Sequence, residues 1–265
     1  MITYEICACT DTGLVRKNNE DAIGFDAACG LCILADGMGG YNAGEVASDM
    51  AVTFITAELG SWLLQKKAHQ TSAKDVWQIM ESAVENANHA IYNAAHTNPN
   101  YADMGTTLVV AVVQDNRLLL GHIGDSRCYR LRGLTLEQIT KDHSLLQEQI
   151  DDGLITAEMA KASIYKNLIT RAVGVEEGVP LECNEFCVLP GDIYLMCSDG
   201  LSDLVSPQDI ALILLSEQPL NEKSHLLVAA ANAGGGRDNI SVVLIQASPP
   251  APPAKHGLLY KVLGK

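Results

Sequence analysis

The run Leu31-Cys32-Ile33-Leu34-Ala35, followed by Asp36-Gly37-Met38-Gly39-Gly40, constrains this chain more than any other stretch. Consecutive apolar residues read as a buried strand, and this one delivers a single carboxylate into a glycine-dense turn. Glycines at 37, 39 and 40 let backbone approach closely and adopt dihedrals closed to other residues. A carboxylate beside bare backbone suits a hard cation or a phosphate. The plainer reading, an Asp-Gly hairpin turn, stands beside it until the rest of the chain is read.

Two further aspartates repeat the pattern. Asp199 follows the apolar run Ile193–Cys197, and Asp238 precedes the run Ile240–Ile245, each beside a Gly or Asn that supports a tight turn. If the strands of a layered β core end on one edge, Asp36, Asp199 and Asp238 meet there. Crowded carboxylates either take up protons or bind cations. Oxygen ligands without accompanying His or Cys point to Mg²⁺ or Mn²⁺. Two such ions about 4 Å apart would activate a water and aim it at phosphorus. Arg16, shortly before Asp21, offers a fork for phosphoryl oxygens.

Alternation at Ile2, Tyr4, Ile6 and Ala8 predicts an opening strand, and residues 22–26 and 31–35 predict two more joined by a turn. Ala47, Met50, Ala51, Phe54 and Ile55 fall at helical spacing, and the stripe from Val76 to Ala94 is a longer helix packed on the core. Residues 106–113 and 117–123 form a hairpin, and strands follow at 128–131, 183–189, 193–197 and 240–245, with helices around 210–214 and 226–231. Residues 145–168 are polar, with two short helices around Gly153, and read as an inserted flap. Residues 248–253 are a proline-rich linker to a short basic-apolar tail.

The net charge of −14 argues against a nucleic-acid partner. No run approaches the roughly 20 apolar residues of a membrane span, and residues 1–10 lack a signal peptide's basic and apolar regions. The expected location is cytoplasmic. The eight cysteines then read as small buried hydrophobes. Cys29 and Cys32 lack a second pair at zinc spacing and fall at a hairpin turn. His122 reads as a packed core histidine and His143 as a turn residue. Asp103 and Asp203 read as solvated or turn residues, and Asn239 as orienting Asp238.

The ordered set Arg16-x-x-Asn19-Glu20-Asp21, Ala35-Asp36-Gly37-Met38-Gly39-Gly40, Gly105-Thr106-Thr107, Gly124-Asp125-Ser126-Arg127, Asp142-His143-Ser144, Thr170-Arg171-Ala172-x-Gly174, Ser198-Asp199-Gly200-Leu201 and Asp238-Asn239 resembles the bacterial PP2C-type (PPM) metal-dependent serine/threonine protein phosphatases. The resemblance implies an α+β fold, a four-layer α-β-β-α sandwich with two central antiparallel sheets flanked by helices. The phosphatase domain would span residues 1–247, with 145–168 as the flap and 248–265 as linker and tail.

It also implies a site. Asp36 would bridge two Mn²⁺ or Mg²⁺ ions, with the Gly37 carbonyl a ligand of one. Asp199 and Asp238 would hold the first ion. Glu20 would contact the second, with Asp21 acting directly or through water. Asp125 would hold a third, weaker ion shared with Asp199, and Arg16 would grip the substrate phosphate. The implied reaction is direct hydrolysis of phosphoserine and phosphothreonine by a metal-bridging hydroxide, without a phosphoenzyme, by a monomer opposing a bacterial Ser/Thr kinase.

Three features depart from the family's pattern. Met38 stands where eukaryotic relatives often carry a histidine, so protonation of the leaving group falls to water. Tyr41-Asn42 and Ser163-Ile164-Tyr165-Lys166-Asn167 replace residues that bear on substrate preference. The competing functions are an aspartyl-nucleophile phosphohydrolase, a hydrolase of non-protein phosphomonoesters and a silent binding module. The first wants a second carboxylate two residues after Asp36, where Met38 stands. The last should have lost ligands, and none of Glu20, Asp21, Asp36, Asp199 and Asp238 is missing.

Overall fold

Alternation of apolar residues along short strands produces two antiparallel sheets packed face to face. The structure, a computed structural model, describes residues 2–40, 43–66, 71–161, 163 and 168–249. Its strands are β1 (Thr3–Asp11), β2 (Asp21–Asp26), β3 (Leu31–Met38), β4 (Gly105–Thr106), β5 (Leu108–Gln114), β6 (Arg117–Ile123), β7 (Arg127–Arg132), β8 (Thr135–Gln138), β9 (Glu182–Cys187), β10 (Ile193–Cys197) and β11 (Ile240–Ser248). One sheet runs β1-β11-β10-β7-β8; the other runs β2-β3-β5-β6-β9, with the two-residue β4 pairing β3.

β3 shows why its sequence reads as an unbroken apolar run. Successive side chains point to opposite faces, and both faces are covered. Cys32 and Leu34 enter the core between the sheets, with Val109, Leu120, Tyr194, Met196 and Val243. Leu31, Ile33 and Ala35 face outward onto helices α1 (Ala43–Ile55) and α3 (Ala73–Thr97). The outer face of the other sheet, with Leu195, Val242 and Leu244, packs under α7 (Pro207–Leu215) and α8 (Leu220–Ala233). The arrangement is the expected four-layer sandwich.

α3 begins where sequence says it should. Ser72 and Asp75 form a reciprocal capping box, which satisfies two otherwise unpaired backbone donors. The expected polar segment folds as α4 (Leu145–Asp151) and α5 (Ala157–Lys161) on either side of Gly153, whose φ of 69° favours glycine.

Several boundaries differ from expectation. β3 continues through Asp36 and Gly37 to Met38, pairing Gly37 with Thr106 and Met38 with Gly105. Asp36 therefore sits within a strand, not at its end. The helix after it extends through a π turn (Thr56–Gly60) into α2 (Ser61–Gln65). β8 carries no apolar alternation and lies mostly exposed at a sheet edge. Asp199 opens the short helix α6 (Asp199–Ser202) instead of a turn. β11 includes Ser248, so the proline-rich segment starts one residue later. Tyr41-Asn42, residues 164–167 and residues 250–265 lie outside the described residues. Among the described residues, no helix is long and apolar enough to cross a membrane.

Candidate metal centre

Strand pairing alone brings the first two carboxylates together. β2 and β3 run antiparallel with Asp21 directly opposite Asp36. The Asp36 backbone is fixed by threonines from the β4–β5 corner: its N–H donates to Thr107 Oγ1 at 3.0 Å, and its carbonyl accepts from Thr107 N and Thr106 Oγ1, each at 2.9 Å. Gly37 is required for close approach and not for a turn. A Cβ there would overlap the carbonyl oxygens of Gly44 and Glu20, so only glycine lets α1 begin against the strand. Glu20 lies on the same side, since a Cβ on Gly44 would meet its Oε2 at 2.8 Å.

The other sheet supplies the rest. Ser198, at the end of β10, donates from Oγ to Asp21 Oδ2 at 2.9 Å and accepts from Ser241 N at 3.0 Å. Asp199 follows it. Asp238 precedes β11, and its Oδ1 accepts from Asn239 N at 2.9 Å. Asp125 lies where the chain crosses from β6 in one sheet to β7 in the other. Asn239 organises the loop carrying Arg16 and Glu20. Its Oδ1 accepts from Glu20 N at 2.8 Å, and its Nδ2 donates to the carbonyls of Thr12 and Asn18 at 3.0 and 2.9 Å.

Electrostatics records the crowding. Burial, then the charges of Asp21, Asp199, Asp125 and Asp238, hold the Asp36 carboxyl well above its usual range. Asp199 is pushed up to about 8 by burial, with Asp125 and Asp238 adding repulsion. Asp125 rises to about 6 through burial and the nearby Asp142. Asp21 also rises to about 6 through burial, against hydrogen bonds from Ser241 and Ser198 that pull it down. Burial raises Glu20 as well, with Arg16 opposing. Asp21 Oδ1 is buried without a hydrogen-bond partner.

An all-oxygen cluster that cannot stay ionised alone, with an orphaned carboxylate oxygen, fits hard divalent cations. The structure thus gathers Glu20, Asp21, Asp36, Gly37, Asp125, Asp199 and Asp238 at one end of the sandwich. Arg16 joins them differently from expectation. Its half-exposed guanidinium donates to Asp238 Oδ2 at 2.7 Å. Burial works against its charge, but Asp238, Glu20 and Asp199 outweigh that and raise its pKa.

Two hollows flank the cluster. One of about 30 Å³ is lined by Asp125, Arg127, Asp142, Ser144, Asp199, Ser202 and Asp203. There Arg127 holds Asp142 through Nε at 3.0 Å and Nη2 at 2.6 Å. Asp203, expected to be only a turn or solvated residue, caps α6 and also faces this hollow. The second, about 260 Å³, opens beside Met38 and is lined by Ile169, Arg171, Val175 and Val179 among others. Sequence reasoning missed Ser198, Ser241 and Thr107 as supports of the carboxylates, because a serine or threonine near a strand end carries no signal of its own.

Comparison with known proteins gives a consistent set of similarities. A family profile described as protein phosphatase 2C matches residues 15–228. The chain is 38% identical over 245 residues to protein phosphatase PhpP of Streptococcus pneumoniae, covering 91% of this chain and 96% of that one. It is 42% identical over 248 residues to serine/threonine protein phosphatase PstP of Mycobacterium tuberculosis, covering 92% of this chain and 45% of that one. The crystal structure of the Mycobacterium tuberculosis phosphatase PstP/Ppp superposes with a TM-score of 0.85 at 38% identity, covering 94% of this chain and all (100%) of that one. The catalytic domain of PstP in complex with two manganese ions superposes with a TM-score of 0.82 at 38% identity and the same coverage, 94% and 100%.

Proposed function

The chain belongs to the protein phosphatase 2C family, and we propose that the carboxylate cluster is the centre at which it dephosphorylates phosphoserine and phosphothreonine in proteins. It is a metal-dependent serine/threonine protein phosphatase. One observation carries the assignment of the centre. Asp21, Asp36, Asp125 and Asp199, drawn from both sheets and the connection between them, are all held above the usual carboxylate range by burial together with the charge of neighbouring aspartates.

Asp36, Asp199 and Asp238, with Glu20, Asp21 and the Gly37 carbonyl, would hold the two cations. Asp125 and Asp199 border a small hollow and would hold a third, weaker ion. When bound, Mn²⁺ or Mg²⁺ supplies Lewis-acid activation of water and neutralisation of charge at phosphorus.

The chain's own residues do the rest. Asp238 could not serve both a cation and Arg16 fully. Arg16, half-exposed beside the cluster, would hold two phosphoryl oxygens as a fork once released from Asp238. Ser198 donates to Asp21 and so favours its ionised form against burial. Met38 has no proton to give, so the departing serine or threonine oxygen takes its proton from water. The hollow beside Met38 can receive substrate side chains next to the phosphorylated residue, between an apolar wall and Arg171.

The protein acts in the cytoplasm, as a monomer, on the substrates of a Ser/Thr kinase. Hydrolysis of p-nitrophenyl phosphate and a phosphothreonine peptide, with and without Mn²⁺, tests the centre. Activity that survives chelation, or survives Asp36→Ala unchanged, refutes it. A trapped aspartyl-phosphate would point to a nucleophilic carboxylate instead.

A further inference from the structure

Three groups outside the carboxylate centre form a cluster of a different chemical kind. His122 on β6 pairs directly with Glu182 on β9 across the sheet. His143, in the segment between β8 and α4, stacks on His122 with ring centroids 4.7 Å apart and planes 14° from parallel. One nitrogen of each ring and one Glu182 oxygen all lie within 4.8 Å of one another. Both histidines are buried, and Glu182 is partly exposed.

Their hydrogen bonds leave the cluster unfinished. His122 uses Nε2 on the Lys141 carbonyl at 2.8 Å, and its Nδ1 is buried with no partner. His143 Nδ1 accepts from the Gly124 N–H at 3.1 Å, which leaves Nε2 facing Glu182 Oε2 at 3.3 Å. Burial and the neighbouring His122 hold His143 below its usual pKa, so the imidazole is a neutral Lewis base. Burial works to raise Glu182, but its hydrogen bonds from His143 and Asn184 help outweigh that and hold it below its usual pKa. A packed core histidine would have satisfied both ring nitrogens, and this one does not.

We propose that His122, His143 and Glu182 form a second metal site, selective for a borderline transition ion such as Zn²⁺ over Mg²⁺. Two imidazoles and a carboxylate are a zinc donor set, with a solvent water as fourth ligand on the exposed side of Glu182. Zinc bonds of about 2.0–2.1 Å place ligands roughly 3.3 Å apart. Reaching that from separations of up to 4.8 Å takes a closing of about 1.5 Å. The bound ion would join β6, β9 and the segment entering α4. Zinc on His143 Nε2 would leave the ring proton on Nδ1, in place of the hydrogen bond now accepted from the Gly124 N–H, so loading would be felt at the turn bearing Asp125.

The test is histidine ring ¹⁵N NMR on the metal-stripped full chain, titrated with Zn²⁺ and separately with Mg²⁺. The carboxylate centre contains no imidazole, so zinc bound there leaves these resonances in place. Expected is a shift of one ring nitrogen of His122 and one of His143 with Zn²⁺ and none with Mg²⁺. Glu182→Gln should weaken the zinc response at least 10-fold while Mn²⁺-driven hydrolysis persists, and His143→Asn should abolish it. Should His143→Asn fail to fold, the titrations of the unmodified chain and of Glu182→Gln still decide. Unmoved His122 and His143 resonances at saturating Zn²⁺, or an undiminished response in Glu182→Gln, overturn the proposal.

Discussion

Asp199→Asn should stabilise the metal-free protein, and by more as the pH rises. A carboxyl held at about 8 against an ordinary 3.8 binds its proton more tightly folded than unfolded. Its contribution to stability is fully present below pH ~4 and is lost as pH climbs towards ~8. Each pH unit in that window costs about 1.4 kcal/mol, giving about 2 kcal/mol at pH 5 and about 4 kcal/mol at pH 7. Asp125, Asp36 and Asp238 share the same repulsion, so removing one charge relaxes the others and the neutral amide must still be accommodated. Halving for that leaves about 2 kcal/mol at pH 7, a rise of roughly 4–8 °C in a domain of this size.

The assay is thermal or urea unfolding of chelator-treated protein at pH 5, 6, 7 and 8, wild type against Asp199→Asn. The difference between the two curves isolates this group from others that titrate. Adding Mn²⁺ should then reverse the order, because only the intact ligand set gains from binding. An Asn variant less stable than wild type throughout, or a difference flat with pH, would falsify the reasoning. It would mean that the carboxylate is solvated or satisfied without a cation.

Arg16→Ala should lower kcat/KM for a phosphopeptide about 10- to 100-fold, corresponding to roughly 1.4–2.8 kcal/mol of lost phosphate contact, without weakening Mn²⁺ binding; steady-state kinetics beside calorimetric titration separates the two. Gly37→Ala should destabilise the fold by about 3 kcal/mol, because the added methyl meets two carbonyl oxygens in a tightly packed corner; urea unfolding reads it directly. Asn239→Ala removes the acceptor for Glu20 N and both donors to the loop at residues 12–20, and should cost about 2–3 kcal/mol while weakening Mn²⁺ binding through Glu20. An Asn239→Ala protein with unchanged metal affinity would show that Glu20 is oriented by other contacts.

The layers of the fold were legible because both faces of its central strands are buried. Leu31–Ala35 and the hairpin at residues 108–123 carry enough apolar residues to read as strands without help from their neighbours. β8 was not legible, since Thr135–Gln138 is polar and held by pairing with β7 rather than by burial. The acids of the site were legible from their place beside apolar runs. Their supports were not, because what Asn239, Ser198 and Thr107 do depends on partners distant in sequence: Asn239 meets Glu20 219 positions away. Asp36 lies within β3 and not at the turn that the glycines suggest, for a related reason. Glycine density signals a turn, yet Gly37 is there for the approach of α1, a tertiary contact that local sequence does not announce.

The distribution of ligands between the two sheets carries a further consequence. Asp21 and Asp36 belong to β2 and β3 of one sheet, while Asp199 and Asp238 flank β10 and β11 of the other. Asp125 sits on the connection between the sheets, and across this end Ser198 reaches Asp21 directly. Without cations, the same end gathers like charges from both sheets, so repulsion there works to part them while the apolar core holds them together. Cations would convert that seam into a clasp. Metal affinity and sheet-to-sheet packing are therefore one coupled quantity: a substitution that loosens the inter-sheet core near Leu34 or Val243 should weaken cation binding without touching a ligand. Ligand substitutions that remove charge should do the opposite to the metal-free fold, which is the sign that Asp199→Asn tests.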